Sequence, residues 1–165
     1  MESLFEKYGY TPDKEMIGKR LDAIAANIDN VSSPSVLKTC MSIMDLTTLR
    51  TEDTPASVTK LVGKVNSFKS DYPGYPLPAS VCVFSNFASL VKENLADPSV
   101  HVTAVSGCFP SSQSFLEVKA RECELAVEAG ADEIDIVLAL NSFMAGDYGK
   151  AREEIRTMKQ AIDSA

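Results

Sequence analysis

Glu133-Ile134-Asp135-Ile136-Val137-Leu138-Ala139-Leu140 is the stretch whose reading decides the fold. Its alternation sets Glu133, Asp135 and Val137 on one face of a strand and Ile134, Ile136 and Leu138 on the other. An open sheet covered by helices on both sides would bury two carboxylates beneath a helix. A barrel instead lets them point into a lumen whose upper end is a site. Working back along the chain, a strand His101-Val102-Thr103-Ala104-Val105-Ser106 leads through Gly107-Cys108-Phe109-Pro110 to a helix from about Ser111 to Gly130. Phe115, Val118, Leu125, Ala126 and Ala129 lie along one face of that helix, and Gly130 is placed as its C-terminal cap. Before it, Ala79-Ser80-Val81-Cys82-Val83-Phe84 is followed by a short helix carrying Phe87, Leu90, Val91 and Leu95. Earlier still, a strand from Met41 to Leu49 precedes a helix that opens at Thr54-Pro55, with Val58, Leu61, Val62, Val65 and Phe68 at helical spacing. After the decisive strand, Met144-Ala145-Gly146-Asp147 gives way to a final helix.

Four strands alternating with helices of this length predict an α/β fold with parallel pairing, a TIM-barrel-type (β/α) repeat. The Gly-rich phosphate fingerprints GxGxxG and GxxxxGK[ST] are both missing, so nucleotide folds lose their main support. Residues 41–165 hold four units of roughly 30 residues, where eight would need about 240. The expectation is therefore half a barrel over 41–165, preceded by a helical extension over 1–40. In that extension Thr11 as N-cap and Pro12 at the first turn open a helix running to Ile28, with Met16, Ile17, Leu21, Ile24 and Ile28 on one stripe. A turn at Asn30-Val31-Ser32-Ser33-Pro34 closes it.

Composition narrows the function. The 165 residues are 45% apolar, enough for a core. Asp and Glu number 23 against 16 Lys and Arg, a net charge of -7, the wrong sign for a partner such as nucleic acid or an anionic membrane. The start MESLFEKYGY has no basic segment followed by an apolar one, and no apolar run is long enough to span a bilayer, so a cytoplasmic protein is expected. Cys40, Cys82, Cys108 and Cys123 form no CxxC pair, and His101 is the only histidine, which removes the usual zinc and disulfide frameworks.

The chemistry is expected on the inward face. Asp45 and Thr47 share it on the first strand with Met41 and Ile43, and Glu133 and Asp135 on the fourth. Carboxylates clustered in a lumen serve as proton carriers or as partners of a buried lysine, cap loops or meet a structural cation, or bind a metal such as magnesium. Cys82 also looks inward, where a small thiol serves as packing or as a site wall. Lys119 and Glu122 have the spacing of a local i,i+3 pair, and His101, at a strand start, is placed away from the mouth as a structural residue.

Four segments, in order, resemble the 2-deoxyribose-5-phosphate aldolase family: Met44-Asp45-Leu46-Thr47-Thr48-Leu49, Ala79-Ser80-Val81-Cys82-Val83-Phe84, Gly107-Cys108-Phe109-Pro110-Ser111-Ser112-Gln113, and Glu128 to Val137 together with Gly146-Asp147-Tyr148. The resemblance implies the N-terminal half of a class I aldolase on a (β/α)8 barrel, a lyase that needs no metal and no cofactor. Its lysine forms a Schiff base with the donor aldehyde, and the iminium is the electron sink when the carbon–carbon bond breaks or forms. The resemblance makes Asp135 the catalytic carboxylate, working with a second lysine and water. It places Asp45 and Thr47 beside the site, and with Cys82 and Phe109 they make the expected substrate-binding set. In that family the Schiff-base lysine lies on the sixth strand, the relay lysine on the seventh and the phosphate-binding glycines on the seventh and eighth, beyond the four units here. Lys150 and Lys159 do not occupy matching positions. The expected parent activity is reversible cleavage of 2-deoxy-D-ribose 5-phosphate to D-glyceraldehyde 3-phosphate and acetaldehyde, with this chain inactive alone. Two rivals stand beside it: a non-catalytic half barrel that self-associates, and a related phosphosugar barrel enzyme of different chemistry. Expected partners are a small phosphosugar and either a second copy or a complementary half barrel.

Overall fold

The computed structural model describes Gly9, Thr11 and residues 13–165. The chain divides into two compact units, Met1–Lys38 and Thr39–Ala165. In the first, helix α1 (Lys14–Ala26) begins two residues later than the sequence suggested. Asp13, not Thr11, is its cap, and the Asp13 carboxylate accepts the Met16 amide at 3.0 Å. A carboxylate serves that end better, since it meets both the free amides and the positive end of the helix dipole. Pro12 lies outside the described residues.

Where a turn was expected the chain forms a one-turn helix α2 (Ile28–Val31) and a further helix α3 (Pro34–Ser42). Pro34 sits at the first helical position, where its missing N–H costs nothing, and the Ser33 hydroxyl accepts the Val36 amide at 3.3 Å. Met41 and Ser42 consequently end a helix instead of opening a strand. The first strand shrinks to β1 (Asp45–Thr47).

The remaining elements of Thr39–Ala165 are α4 (Pro55–Asp71), β2 (Ser80–Phe84), a single 3-10 turn Ser85–Phe87, α5 (Ala88–Asn94), β3 (His101–Ser106), α6 (Leu116–Glu128), β4 (Glu133–Ile136), α7 (Leu140–Met144) and α8 (Tyr148–Ser164). The four strands pair parallel in the order β1-β2-β3-β4. This is the α/β, barrel-type repeat read from the sequence, in four units with two open edges.

One face of the sheet is apolar and makes the core. Val81, Val83, Val102 and Ala104 pack there with Val58, Val62 and Val65 of α4, Ala88 and Val91 of α5 and Ala126 of α6. Each fully buried valine contributes about 1.5–3 kcal/mol. α4 is held at its start by a capping box: Thr54 Oγ1 accepts the Ser57 amide at 3.2 Å and Ser57 Oγ accepts the Thr54 amide at 2.9 Å.

α6 differs most from the sequence reading. It starts at Leu116, not Ser111, and its buried stripe is Lys119, Cys123 and Ala126. Phe115, Val118 and Leu125, placed on the inner face by periodicity, are exposed, Phe115 at 78%. The helix is rotated because its buried side packs against α8 as well as the sheet. Its end matches expectation: Gly130, at φ +91°, donates to Val127 O at 2.8 Å and Ala131 donates to Ala126 O at 3.1 Å, the paired bonds of a left-handed C-cap. The fourth strand also stops early, at Ile136, and Leu140 begins α7.

Candidate functional site

The register fixes which side chains share the face away from the core. Asp45, Ser80 and His101 form its lowest row, Thr47, Cys82, Thr103 and Glu133 the middle one, and Phe84, Val105 and Asp135 the uppermost. Ile134, on the other face of β4, packs against the apolar core. The structure therefore brings Asp45, Thr47, Cys82 and Asp135 onto one inner face, with Asp135 toward the C-terminal end of the strands.

The carboxylates on this face are held differently. Asp45 accepts the Ser80 hydroxyl at 2.8 Å. Glu133 is spent on structure: one oxygen meets His101 Nδ1 at 2.7 Å and the other accepts Thr103 Oγ1 at 3.1 Å. His101 and Glu133 so tie the starts of β3 and β4 together, which agrees with a structural role for the histidine. The Asp135 side chain makes no hydrogen bond or ion pair among the described residues. Desolvation at the sheet, then repulsion from Asp45 and Glu133, pushes its carboxyl above the usual carboxylate range. A cation delivered to this spot would relieve both carboxylates at once.

Cys82 is 3% exposed. Burial and the nearby Asp135 and Asp45 push its thiol up, against a lowering hydrogen bond from Thr47. A thiol so placed stays protonated at neutral pH and is a poor nucleophile. Thr47 also donates to Asp45 O at 3.1 Å.

Phe109 stands on the loop Gly107–Phe115 that follows β3, and its ring meets Phe84 edge-on with centroids 6.5 Å apart. That places it above the uppermost row, at the same end as Asp135. The loop is folded sharply: Gly107, Cys108 and Ser112 all have positive φ, and the Phe109-Pro110 peptide is cis. The φ of +75° at Gly107 favours glycine there, and a β-carbon would also come within 2.9 Å of Met158 Sδ of α8, which would have to shift.

Two α6 side chains that the sequence paired with each other hold this loop instead. Glu122 accepts the Cys108 amide at 2.8 Å and the Ser85 hydroxyl at 3.1 Å, joining the loops after β2 and β3. Lys119, only 1% exposed, donates to Glu154 Oε2 of α8 at 2.6 Å and to Ser112 Oγ at 2.8 Å. The local i,i+3 pair does not form, because each partner faces a loop or helix far away in sequence. The signal available beforehand was spacing: Lys119 lies four and seven residues before Cys123 and Ala126, on the buried stripe. Ser112 and Glu154 carried no such mark. Among the described residues no three His, Cys, Asp or Glu side chains converge as metal ligands, and no helix is long and apolar enough to cross a membrane.

No protein-family model matches the chain. Among curated proteins, it is 32% identical over 156 residues to a Caenorhabditis elegans protein provisionally named a deoxyribose-phosphate aldolase, covering 93% of this chain and 51% of that one. It is 35% identical over 122 residues to the deoxyribose-phosphate aldolase of Mycoplasmopsis synoviae (strain 53), covering 73% of this chain and 51% of the relative. Among solved structures, the tetrameric deoxyribose phosphate aldolase from Aeropyrum pernix superposes with a TM-score of 0.57 at 27% identity, over 92% of this chain and 57% of that one. The chain spans about half the length of the curated relatives it matches.

Proposed function

Because this chain is a half-length relative of the deoxyribose-phosphate aldolases, we propose that it is the N-terminal half of a class I aldolase barrel. The assembled barrel reversibly cleaves 2-deoxy-D-ribose 5-phosphate to D-glyceraldehyde 3-phosphate and acetaldehyde. The observation that carries this reading is the Asp135 side chain, without a hydrogen-bond or ion partner among the described residues, on the face it shares with Asp45, its carboxyl raised by desolvation and then by Asp45 and Glu133. An unpartnered carboxylate beside a second one that meets only a hydroxyl suits a site into which an ammonium group is brought from elsewhere.

In the proposed reaction a lysine of the other half condenses with the substrate aldehyde, releasing water. The carbon–carbon bond then breaks as the C3 hydroxyl gives up its proton, and its electron pair moves into the iminium to leave an enamine of acetaldehyde. Asp135, acting through water, carries the proton between the hydroxyl and the enamine carbon, a task its raised carboxyl suits. Asp45 and Thr47 frame the donor end, Cys82 forms an inert wall, and Phe109 closes the site above the uppermost row. The phosphate is held by the other half. Four free thiols and a net charge of -7 support a cytoplasmic setting.

The test is turnover of 2-deoxy-D-ribose 5-phosphate by the chain alone and after mixing with a polypeptide supplying the second four βα units. The chain alone should give no cleavage above background and the mixture should. Asp135→Asn in the mixture should lower kcat by about 10²-fold or more, the scale of a lost proton carrier. Unchanged kcat in that variant contradicts the role given to Asp135.

A further inference from the structure

The helices that flank the two open edges of the sheet are net basic. Beside β1, the groove between that strand and α4 is apolar at one end, about 450 Å³ lined by Met44, Leu46, Leu61 and Phe68. It continues through Leu61 and Lys64 into a cleft of about 330 Å³ that also holds Arg50 and Lys60, with Asp53 as its one carboxylate. Lys60 and Lys64 are exposed and make no salt bridge among the described residues. Over its whole length α4 carries Lys60, Lys64 and Lys69 against Asp71 alone, and of these lysines Lys69 is paired with Asp97.

On the β4 side the last helix is α8, which exposes Lys150, Arg152, Arg156 and Lys159 against Glu153 and Asp163, with Arg156 paired to Glu153 and Lys159 to Asp163. Its third carboxylate, Glu154, is buried on Lys119. The helix between these edges has the opposite balance: α6 holds Glu117, Glu122, Glu124 and Glu128 against Lys119 and Arg121. A chain of net charge -7 therefore sets a net basic helix at each of the two edges left open.

Closing a four-unit sheet into an eight-unit barrel with a second copy would set β4 of one copy beside β1 of the other. α8 would then lie against α4, twice over by the two-fold symmetry of such a dimer. Both faces are basic, so each seam would bring like charges together, which costs association free energy and selects against that partner. The chain also spans only half the length of its curated relatives.

We propose that the occupant of both edges is a complementary polypeptide half with acidic edge helices and an apolar stripe for the Leu61–Phe68 groove, and not a second copy of this chain. This rests on the half-barrel reading above. The following assay contains no substrate, so it can fail without touching the aldolase assignment, and a failed turnover assay leaves it standing.

The experiment is sedimentation velocity of the full chain at about 50 mM and about 500 mM salt, where exposed charges are respectively felt and screened. The variant K60E/K64E makes α4 acidic opposite the basic α8. At low salt it should self-associate at least about tenfold more tightly than the unaltered chain. The gain should vanish at high salt and on adding R152E/R156E. All four positions are exposed, and circular dichroism checks folding; R152E/R156E alone is the mirror variant should K60E/K64E not fold. An unaltered chain that already forms a salt-insensitive dimer over the same concentrations overturns the proposal. So does a charge-reversed variant that associates no more tightly than its parent.

Discussion

Lys119 is the residue on which the inner loop depends. With its ammonium 2.6 Å from Glu154 and both side chains nearly inaccessible, at 2% and 9% exposed, removing either charge leaves the other buried and unpaired. Lys119→Met should cost about 3–5 kcal/mol of unfolding free energy in urea titration, whereas replacing both partners together with apolar residues should cost much less. Equal losses in the single and double variants would show that the pair is not coupled. His101 offers a second test at this scale. Glu133 raises its imidazole and is itself lowered by it. The histidine's contribution to stability is complete below its unfolded value of 6.5 and is lost as pH rises through the raised folded value. That of Glu133 is complete above 4.5 and is lost as pH falls through its lowered value. The pair therefore holds the starts of β3 and β4 best in mildly acid solution. As His101 is the single histidine, its NMR titration is unambiguous, and Glu133→Gln should move the midpoint downward; an unmoved midpoint contradicts the pairing. The inner-face residues Asp45, Thr47, Cys82 and Asp135 were legible in the sequence because strand alternation sorts faces without knowledge of neighbours. Lys119 and Glu122 were not, since their partners come from loops and helices that only tertiary packing brings near.

Among elements, β3 agreed residue for residue with its alternation, and β2 lost only Ala79. Both are central strands whose edges are fixed by neighbours on each side. The edge strands β1 and β4 came out shorter than their apolar runs. At β1 the run began inside α3, and at β4 it continued into α7, because an apolar stretch alone does not separate strand from buried helix. The stop of α6 was readable because glycine's freedom at positive φ has a definite use there. Gly130→Ala should cost about 1–2 kcal/mol for an alanine in the left-handed region. It also sets the new methyl group 3.1 Å from Lys92 Cγ. Urea unfolding measures this, and a neutral result would mean the cap relaxes freely.

At the scale of the whole molecule, four parallel units bury one face of the sheet under helices, while on the other, between two unpaired edges, Ser80, Cys82, Thr103 and Val105 are buried and the carboxylates of Asp45, Glu133 and Asp135 remain exposed. On the proposed reading such a surface supplies half of a site: a proton carrier, a donor frame and a loop above them, with the activated amine coming from the other half. The described lysines lie on helices, and several are already committed, Lys119 to Glu154, Lys92 to Asp132 and Lys69 to Asp97. An ordinary exposed lysine, with a pKa of about 10.4, is almost wholly protonated at neutral pH and is a poor nucleophile. The most direct test of this division of labour is reductive trapping: the 165-residue chain alone is incubated with acetaldehyde and borohydride at neutral pH and its labelling is located by peptide mass spectrometry. The account predicts no preferred site, with only slow scattered labelling of surface amines. Rapid labelling of one lysine of this chain would show that it holds its own activated nucleophile and would contradict the reading of it as half of an aldolase site.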